Sequence, residues 1–149
     1  MNYRDYKIFT RGAIFHVFNR GVARQAIYCG DADYSLFLRR IKEQVLGRPL
    51  PLAKKTDYHR KVFEPGLFTL YAYCLMPNHF HWLIKQEADV SMSELVKRVM
   101  TGYSKVFNIK YERPGALFQD QFKAVRVETT EQLMWLSAYI HQNPKVAGL

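Results

Sequence analysis

Cysteine is scarce in this sequence. The 149 residues include two cysteines, Cys29 and Cys74, and they do not form a CxxC pair. A small disulfide scaffold needs more cysteines and a cysteine zinc site needs closely spaced ones, so the sequence excludes both. Because thiols stay reduced in the cytoplasm, we expect a cytoplasmic protein.

Long apolar runs are also lacking. The first residues, MNYRDYKIFTRG, mix charged and apolar side chains without the apolar core of a signal peptide. Elsewhere no stretch approaches the roughly 20 apolar residues that a membrane helix needs. The sequence therefore predicts a soluble protein with no membrane partner.

Acidic residues are few relative to basic ones. Thirteen Asp and Glu stand against 22 Lys and Arg, which gives a formal net charge of +9. This balance favours a polyanionic partner such as nucleic acid, although charge alone equally fits an ordinary solvated basic surface. Aromatic residues are abundant, with 10 Tyr, 10 Phe and 2 Trp. Rings among basic residues suit unpaired bases better than a closed duplex, but most of them are expected in the core.

Apolar spacing and turn residues predict a single α+β domain over residues 1–149. The seven elements have the order βαββαβα, which fits a ferredoxin-like antiparallel sheet with packed helices. A basic, proline-containing loop of unassigned role is expected at 48–66. The predicted elements are a strand at 13–18, a helix at 33–46, strands at 67–76 and 79–85 around a Pro77-Asn78 turn, a helix capped by Ser91, a strand at 118–127, and a helix capped by Thr129 that ends before Pro144.

The third predicted strand begins with His79-Phe80-His81. Side chains alternate along a strand, so both imidazoles point to one face while Phe80 and Trp82 point to the other. Two neutral imidazoles on one face can bind one divalent ion. A bare HxH pattern is weak evidence for a metal site, and two unrelated histidines at the start of a strand remain an open alternative.

The last predicted helix offers Tyr139, Gln142 and Asn143 as a third ligand. At about 100° per residue, Asn143 falls roughly 60° from the centre of the apolar stripe, Tyr139 roughly 100°, and Gln142 nearly opposite. Asn143 is therefore the better ligand candidate. Tyr139 and Asn143 are an i, i+4 pair and could share a metal-bound phosphate, as a tyrosine nucleophile would need. Simple packing of Tyr139 against Trp135 is the alternative.

Three segments together resemble the single-tyrosine HUH transposases, in particular the REP-associated tyrosine transposases. They are YAYCLMPNHFHWLIK, SMSELVKRVMTGYSKVFNIKYERPGALFQDQFKAV and WLSAYIHQNPKVAGL. The resemblance extends over most of the chain, and the combination is far more specific than any single motif. One departure is Asp120-Gln121, which stands where the family often has a Gly-Arg pair, so one basic contact is expected to be missing or displaced.

The resemblance implies a function and a set of site residues. It implies a ferredoxin-like fold, a Mg²⁺ or Mn²⁺ ion, and cleavage of single-stranded DNA that leaves a 5′-phosphotyrosine and a free 3′-OH. His79 and His81 then bind the metal, Tyr139 is the nucleophile, and Asn143 is the third ligand. Hairpins or palindromic repeats are the expected DNA partners. Relatives act either as dimers or as monomers, and the sequence favours neither.

Basic and polar residues at three places are the predicted DNA contacts. Such side chains mainly hold the phosphate backbone. An alternative reading is a non-catalytic module that binds single strands and in which the histidines are structural. A third interpretation is a small zinc hydrolase that acts on a substrate other than nucleic acid. It requires the net charge of +9 to be incidental, and no other feature of the sequence favours it. The predicted contacts are Asn19 and Arg20 at the first turn, Lys97, Arg98 and Lys105 on the second helix, and Lys123 and Arg126 on the last strand.

Overall fold

The computed structural model describes residues 10–50 and 61–146, and it contains four strands and three α-helices within those ranges. The order of these elements is the predicted one, βαββαβα. The elements are β1 (Ile14–Arg20), α1 (Asp31–Leu46), β2 (Phe68–Met76), β3 (His79–Gln86), α2 (Met92–Lys110), β4 (Lys123–Val127) and α3 (Thr130–Val146), and a short 3-10 turn covers Val22–Arg24.

The four strands form one antiparallel sheet in the order β2-β3-β1-β4. β2 and β3 form the hairpin predicted around Pro77-Asn78, and β1 lies between β3 and β4. In the β1–β3 ladder, Arg20 pairs with His79 and Phe18 with His81. This register brings the end of the first strand beside the HxH segment.

The larger core lies between one face of the sheet and the pair α1 and α2. Alternate residues of β1 and β3 point into it, and the largest of them, Trp82, is fully buried. Phe37 of α1 and Tyr103 of α2 meet edge to face, with ring centroids 5.0 Å apart. Burial of several aromatic side chains of this size dominates the stability of a small domain.

The opposite face of the sheet is covered by α3. Leu136 and Ile140 of this helix pack on a smaller cluster of buried residues from β2 and β3. An irregularity between Leu70 and Ala72 changes the alternation of β2, because Tyr71 is an extra residue in the ladder. Phe68 and Leu70, before the bulge, therefore face the larger core, and Ala72 and the alternate residues after it face α3.

Two boundaries near the sheet's end differ from the sequence prediction. β1 runs from Ile14 to Arg20 rather than stopping at residue 18, because its pairing with β3 continues through the polar residues. β4 begins at Lys123 rather than at 118. The preceding residues leave the ladder: Gln119 donates its backbone N–H to the carbonyl of Arg20, and Asp120 adopts a φ of 42°.

The helix starts agree with the sequence prediction to within about two residues, but the end of the last helix does not. α1 begins at Asp31 after the N-cap Gly30, and Asp33 accepts a hydrogen bond from the backbone N–H of Cys29. α3 continues through Pro144 to Val146, so the predicted stop before Pro144 was wrong. The proline lies in the last turn of the helix, where its missing N–H removes one hydrogen bond without breaking a long ladder.

The predicted loop at 48–66 is described only in part. Residues 51–60 of the predicted loop lie outside the described ranges, so its role stays unassigned. Among the described residues, every helix is too short or too polar to cross a bilayer.

Candidate functional site

A cavity of about 520 Å³ opens where β1 and β3 meet the edge of α3. Its walls come from the end of β1 and the turn after it, the β2–β3 turn, the segment before β4, and one residue of α3. These parts are far apart in the sequence, and the sheet register brings them together. The lining residues are Phe18, Asn19, Arg20, Arg24, Asn78, His79, His81, Gln119, Asp120, Gln121, Lys123 and Tyr139.

His79 and His81 both line this cavity, as the strand alternation predicted. Their ring centroids are 5.1 Å apart and the rings are nearly perpendicular, at 88°. Phe80 and Trp82 are fully buried on the other face of the sheet. The two imidazoles are therefore neighbours on one surface, and their backbone is held by the core beneath.

Each of these imidazoles has a hydrogen-bond partner at Nδ1. Nδ1 of His79 lies 2.7 Å from Oδ1 of Asn78, and since that oxygen can only accept, the histidine donates. Nδ1 of His81 lies 2.9 Å from Nε2 of His16. When His81 is the donor in this pair, both His79 and His81 keep Nε2 as the nitrogen with a free lone pair.

Burial keeps these histidines uncharged. Burial, followed by repulsion from His16 and His79, lowers the pKa of His81 to about 3. Burial also lowers the pKa of His16 to about 4. For His79, burial and then the neighbouring Arg20 lower the pKa below its ordinary value. Neutral imidazole is the form that can ligate a metal ion, and near neutral pH it is the form present here.

Tyr139 projects from α3 into the same cavity. Its ring meets His81 edge to face with centroids 5.9 Å apart, and it approaches His16 in the same way at 6.5 Å. The ring also stacks on Trp135, with centroids 5.3 Å apart and planes 7° from parallel. The predicted packing on Trp135 is therefore confirmed, and the ring is still 39% exposed in the cavity, where the nucleophile role stays a prediction.

Asn143 lies one helical turn after Tyr139 on the same edge of α3, although it does not line the cavity. Its amide nitrogen is buried and has no hydrogen-bond partner among the described residues. Within those ranges, no three His, Cys, Asp or Glu side chains are grouped to hold a metal ion. A metal site built on His79 and His81 would thus need an amide or a substrate oxygen to complete it.

The structure divides the predicted DNA contacts between two regions. Asn19, Arg20 and Lys123 line the cavity; the Asn19 side chain is buried and its amide reaches the sulfur of Met100 at 4.0 Å. Arg20 donates to Gln119 Oε1 at 2.6 Å.

The remaining predicted contacts lie away from the cavity. Lys97, Arg98 and Lys105 belong to α2, which covers the other face of the sheet. Lys97 and Arg98 line a separate groove between α1 and α2. Arg126 pairs with Phe15 in the β1–β4 ladder and so points away from the site, with its Nε 4.0 Å from Glu128.

Sequence reasoning missed several residues of the site. His16 was visible only as a lone histidine in an apolar strand, and its partner lies 65 positions away. Arg24 enters the cavity from the 3-10 turn after Gly21. That turn requires glycine, because a Cβ at Gly21 would collide with the carbonyl oxygen of Gln25. The Asn19-Arg20-Gly21 sequence predicted a turn, but it did not show that the turn brings Arg24 to the cavity.

Comparisons with known proteins agree with this arrangement. Residues 36–143 match the family model described as transposase, IS200-like. No curated protein matches the chain. Among solved structures, a REP-associated tyrosine transposase bound to a REP hairpin aligns with a TM-score of 0.66 and 16% identity, over 94% of this chain and 71% of that chain.

A second solved structure, from Deinococcus radiodurans R1, is of a protein that has been proposed to be a transposase. It aligns with a TM-score of 0.54 and 15% identity, over 91% of this chain and 93% of that chain. Identities this low establish similarity of fold only, whereas the family model spans most of the chain and includes His79, His81, Tyr139 and Asn143. The chain belongs to the IS200-like transposase family.

Proposed function

We propose that this transposase nicks and rejoins single-stranded DNA through a covalent 5′-phosphotyrosine on Tyr139. The observation that carries the proposal is the edge-to-face approach of Tyr139 to His81 inside a cavity that also contains Lys123 and Arg20. A phenol, two neutral imidazoles and cationic side chains around one cavity suit a phosphodiester better than an uncharged substrate.

The donor set fits one divalent ion, Mg²⁺ or Mn²⁺. His79 and His81 would supply Nε2, since Nδ1 of each is engaged by a neighbouring side chain. Asn143 would supply its amide oxygen, and its unpartnered buried nitrogen indicates an amide whose local hydrogen bonding is incomplete. When bound, the ion would withdraw charge from the phosphate and so assist attack by a poor nucleophile.

The protein's own groups account for the remaining steps. The Tyr139 oxygen attacks phosphorus, the bond from phosphorus to the 3′ oxygen breaks, the phenol loses its proton, and the departing oxygen gains one to become a 3′-OH. Lys123 and Arg20 hold the flanking phosphates during this exchange. The phosphotyrosine conserves the energy of the broken bond, so the 3′-OH of another strand can reverse the reaction and join DNA without ATP.

A DNA hairpin is the substrate form that we propose. The structurally similar REP-associated transposase is bound to a REP hairpin. The single-stranded segment beside such a hairpin would reach Tyr139 in the cavity, where its ring is 39% exposed.

Labelled single-stranded and hairpin oligonucleotides test the proposal. The wild type, incubated with Mg²⁺ or Mn²⁺, should give a protease-sensitive adduct on a denaturing gel, and EDTA should prevent it. Tyr139→Phe should lower adduct formation by at least about a thousand-fold while binding is retained. Tyr73→Phe is the matched control, since Tyr73 is a similarly exposed tyrosine of β2 outside the cavity.

The alternative outcomes separate the competing functions. Continued nicking by Tyr139→Phe would show that a water molecule is the nucleophile and that the protein is a hydrolytic nuclease. Binding by the wild type without an adduct on any oligonucleotide would instead indicate a non-catalytic binding module.

A further inference from the structure

Trp135 is an unusual surface residue. It is 64% exposed, whereas the only other tryptophan of the chain, Trp82, is fully buried in the larger core. Exposed tryptophans are uncommon on protein surfaces that serve no contact, because the indole has the largest apolar area of any side chain. In the described fold its indole stacks on the ring of Tyr139.

The position of Trp135 relates it to the proposed chemistry. Trp135, Tyr139 and Asn143 are spaced by four residues and so form a row along one edge of α3, with about 6 Å between successive positions. Because the indole lies 7° from parallel with the Tyr139 ring, one of its faces is occupied by the tyrosine. The high exposure of the indole leaves much of the rest of its surface open to solvent.

We propose that Trp135 is a stacking platform for one unpaired nucleobase next to the scissile phosphate. This inference rests on the proposed function, because it takes Tyr139 as the position of that phosphate. When Tyr139, Lys123 and Arg20 hold the scissile phosphate, the base of an adjoining nucleotide lies about one helical turn away from it. That is about the spacing between Tyr139 and Trp135 along α3. A flat aromatic surface accepts any base, so Trp135 holds the strand without reading its sequence.

Charge favours a nucleobase over an apolar protein partner at this place. The adjoining cavity is lined by three cationic side chains, Arg20, Arg24 and Lys123, and one carboxylate, Asp120, and the chain carries a net charge of +9. Aromatic rings beside a cationic groove are the arrangement by which proteins hold single strands. A second copy of this chain would bring the same cations together, which opposes self-association through this edge.

The two tryptophans make the proposal measurable in solution. We would work in the Tyr139→Phe background, which keeps the stacked ring but prevents cleavage, and follow the tryptophan fluorescence during titration with a single-stranded oligonucleotide. A base stacked on Trp135 should quench the exposed indole and leave the emission of buried Trp82 unchanged. A series of oligonucleotides, each with one abasic nucleotide, should lose the quench at one position only, beside the cleavage site.

Three substitutions define the interaction. Trp135→Ala should weaken binding of the intact oligonucleotide roughly 5- to 150-fold and remove the sensitivity to the abasic position. Trp135→Phe should restore much of the affinity because it retains a ring, whereas Trp135→Leu, which is apolar but not flat, should not. Unchanged circular dichroism and unchanged Trp82 emission would show that each variant is folded.

Several results would overturn the proposal. Equal affinity of Trp135→Ala and its parent would do so, as would rescue by Leu equal to that by Phe, which would indicate simple apolar packing. Sedimentation showing a dimer that Trp135→Ala dissociates would assign the residue to self-association instead. The assay is independent of cleavage. The adduct is scored separately, in protein that retains Tyr139. An adduct there together with no effect of Trp135→Ala on binding overturns this inference alone, and a base-dependent quench together with no adduct there overturns the proposed cleavage alone.

Discussion

The hydrogen bond between His16 and His81 connects a residue with no predicted role to the centre of the site. A partner at Nδ1 fixes the tautomer and the ring orientation of a ligating histidine, and such partners typically matter 10- to 100-fold for metal affinity. If the proposed ion binds, His16 would be a positioning residue in this sense, because it would act on the ion only through His81.

Substitution of His16 should therefore weaken metal binding. His16→Leu removes the acceptor, so we expect Mn²⁺ affinity to fall by about 10- to 100-fold, and His16→Gln, which still offers an acceptor oxygen, should recover part of it. The fraction of free Mn²⁺ measured by electron paramagnetic resonance gives the affinity without reference to cleavage. His141→Leu is the control, because His141 is exposed and bonds to the carbonyl of Ser137. Wild-type affinity in His16→Leu would refute the positioning role.

Local periodicity explains which site residues could be predicted at this scale. His79 and His81 share a face because neighbouring strand residues alternate, and that rule needs no knowledge of the fold. Tyr139 and Asn143 share a helix edge for a similar reason. His16 and Arg24 reach the site through sheet pairing and a tight turn, and neither the register nor the turn geometry can be read from one sequence.

Among the elements, α1 and α2 are joined at their ends by Asp33. Its carboxylate, buried at the first turn of α1, accepts hydrogen bonds from Lys110 Nζ and the Tyr111 hydroxyl, both at 2.7 Å, and from the Cys29 N–H at 2.8 Å. Burial alone would raise the pKa of Asp33, but the bonds from Lys110, Tyr111 and Cys29 outweigh it and lower the pKa. The sequence predicted the helix that begins near Asp33, but not the partners of this carboxylate at the end of α2.

The lowered pKa gives this junction a defined pH dependence. A carboxylate whose pKa is lower in the folded state stabilises the fold above its ordinary pKa, and that stability is lost as pH falls through the lowered value. Asp33→Asn should cost about 1–3 kcal/mol of unfolding free energy at neutral pH, from the loss of bonds to a charged acceptor. Urea unfolding at neutral pH and near pH 3 should show the difference from wild type shrinking in acid.

The neighbouring Asp31 supplies the control for this prediction. It is exposed in the same first turn of α1, so Asp31→Asn changes the charge without removing a buried acceptor. Its effect should stay within about 1 kcal/mol, which is the range for a surface charge near a helix N-terminus. An equal loss in both variants at neutral pH would show that helix-end charge, rather than the three buried bonds, stabilises this junction.

At the scale of the described molecule, the predicted DNA-contacting cations fall on two sides of the sheet. Lys123 and Arg20 stand at the cavity, while Lys97 and Arg98 line the groove between the helices of the opposite layer. Composition predicted a polyanionic partner but could not distinguish these two surfaces. The fold class followed from the order of elements, because few topologies accommodate βαββαβα.

Matched charge substitutions can identify the surface that binds DNA. If the strand crosses the cavity, Lys123→Gln should weaken binding and reduce the slope of log K against log salt concentration by about 0.7, the contribution of one single-strand phosphate contact. Lys97→Gln makes the same change in net charge and should leave the slope unaltered. Filter binding of one oligonucleotide at a series of salt concentrations measures both. A slope that changes for Lys97→Gln alone would place the DNA on the helical layer.

The bulge at Tyr71 changes which side chains of β2 face each layer: Phe68 and Leu70 before it face the larger core, and Ala72, Cys74 and Met76 after it face α3. The sheet residues buried in the larger core and those buried under α3 are different sets. Substitutions can therefore accumulate in one layer without compensating changes in the other. The layer that carries Tyr139 can therefore change its packing residues while the larger core is kept.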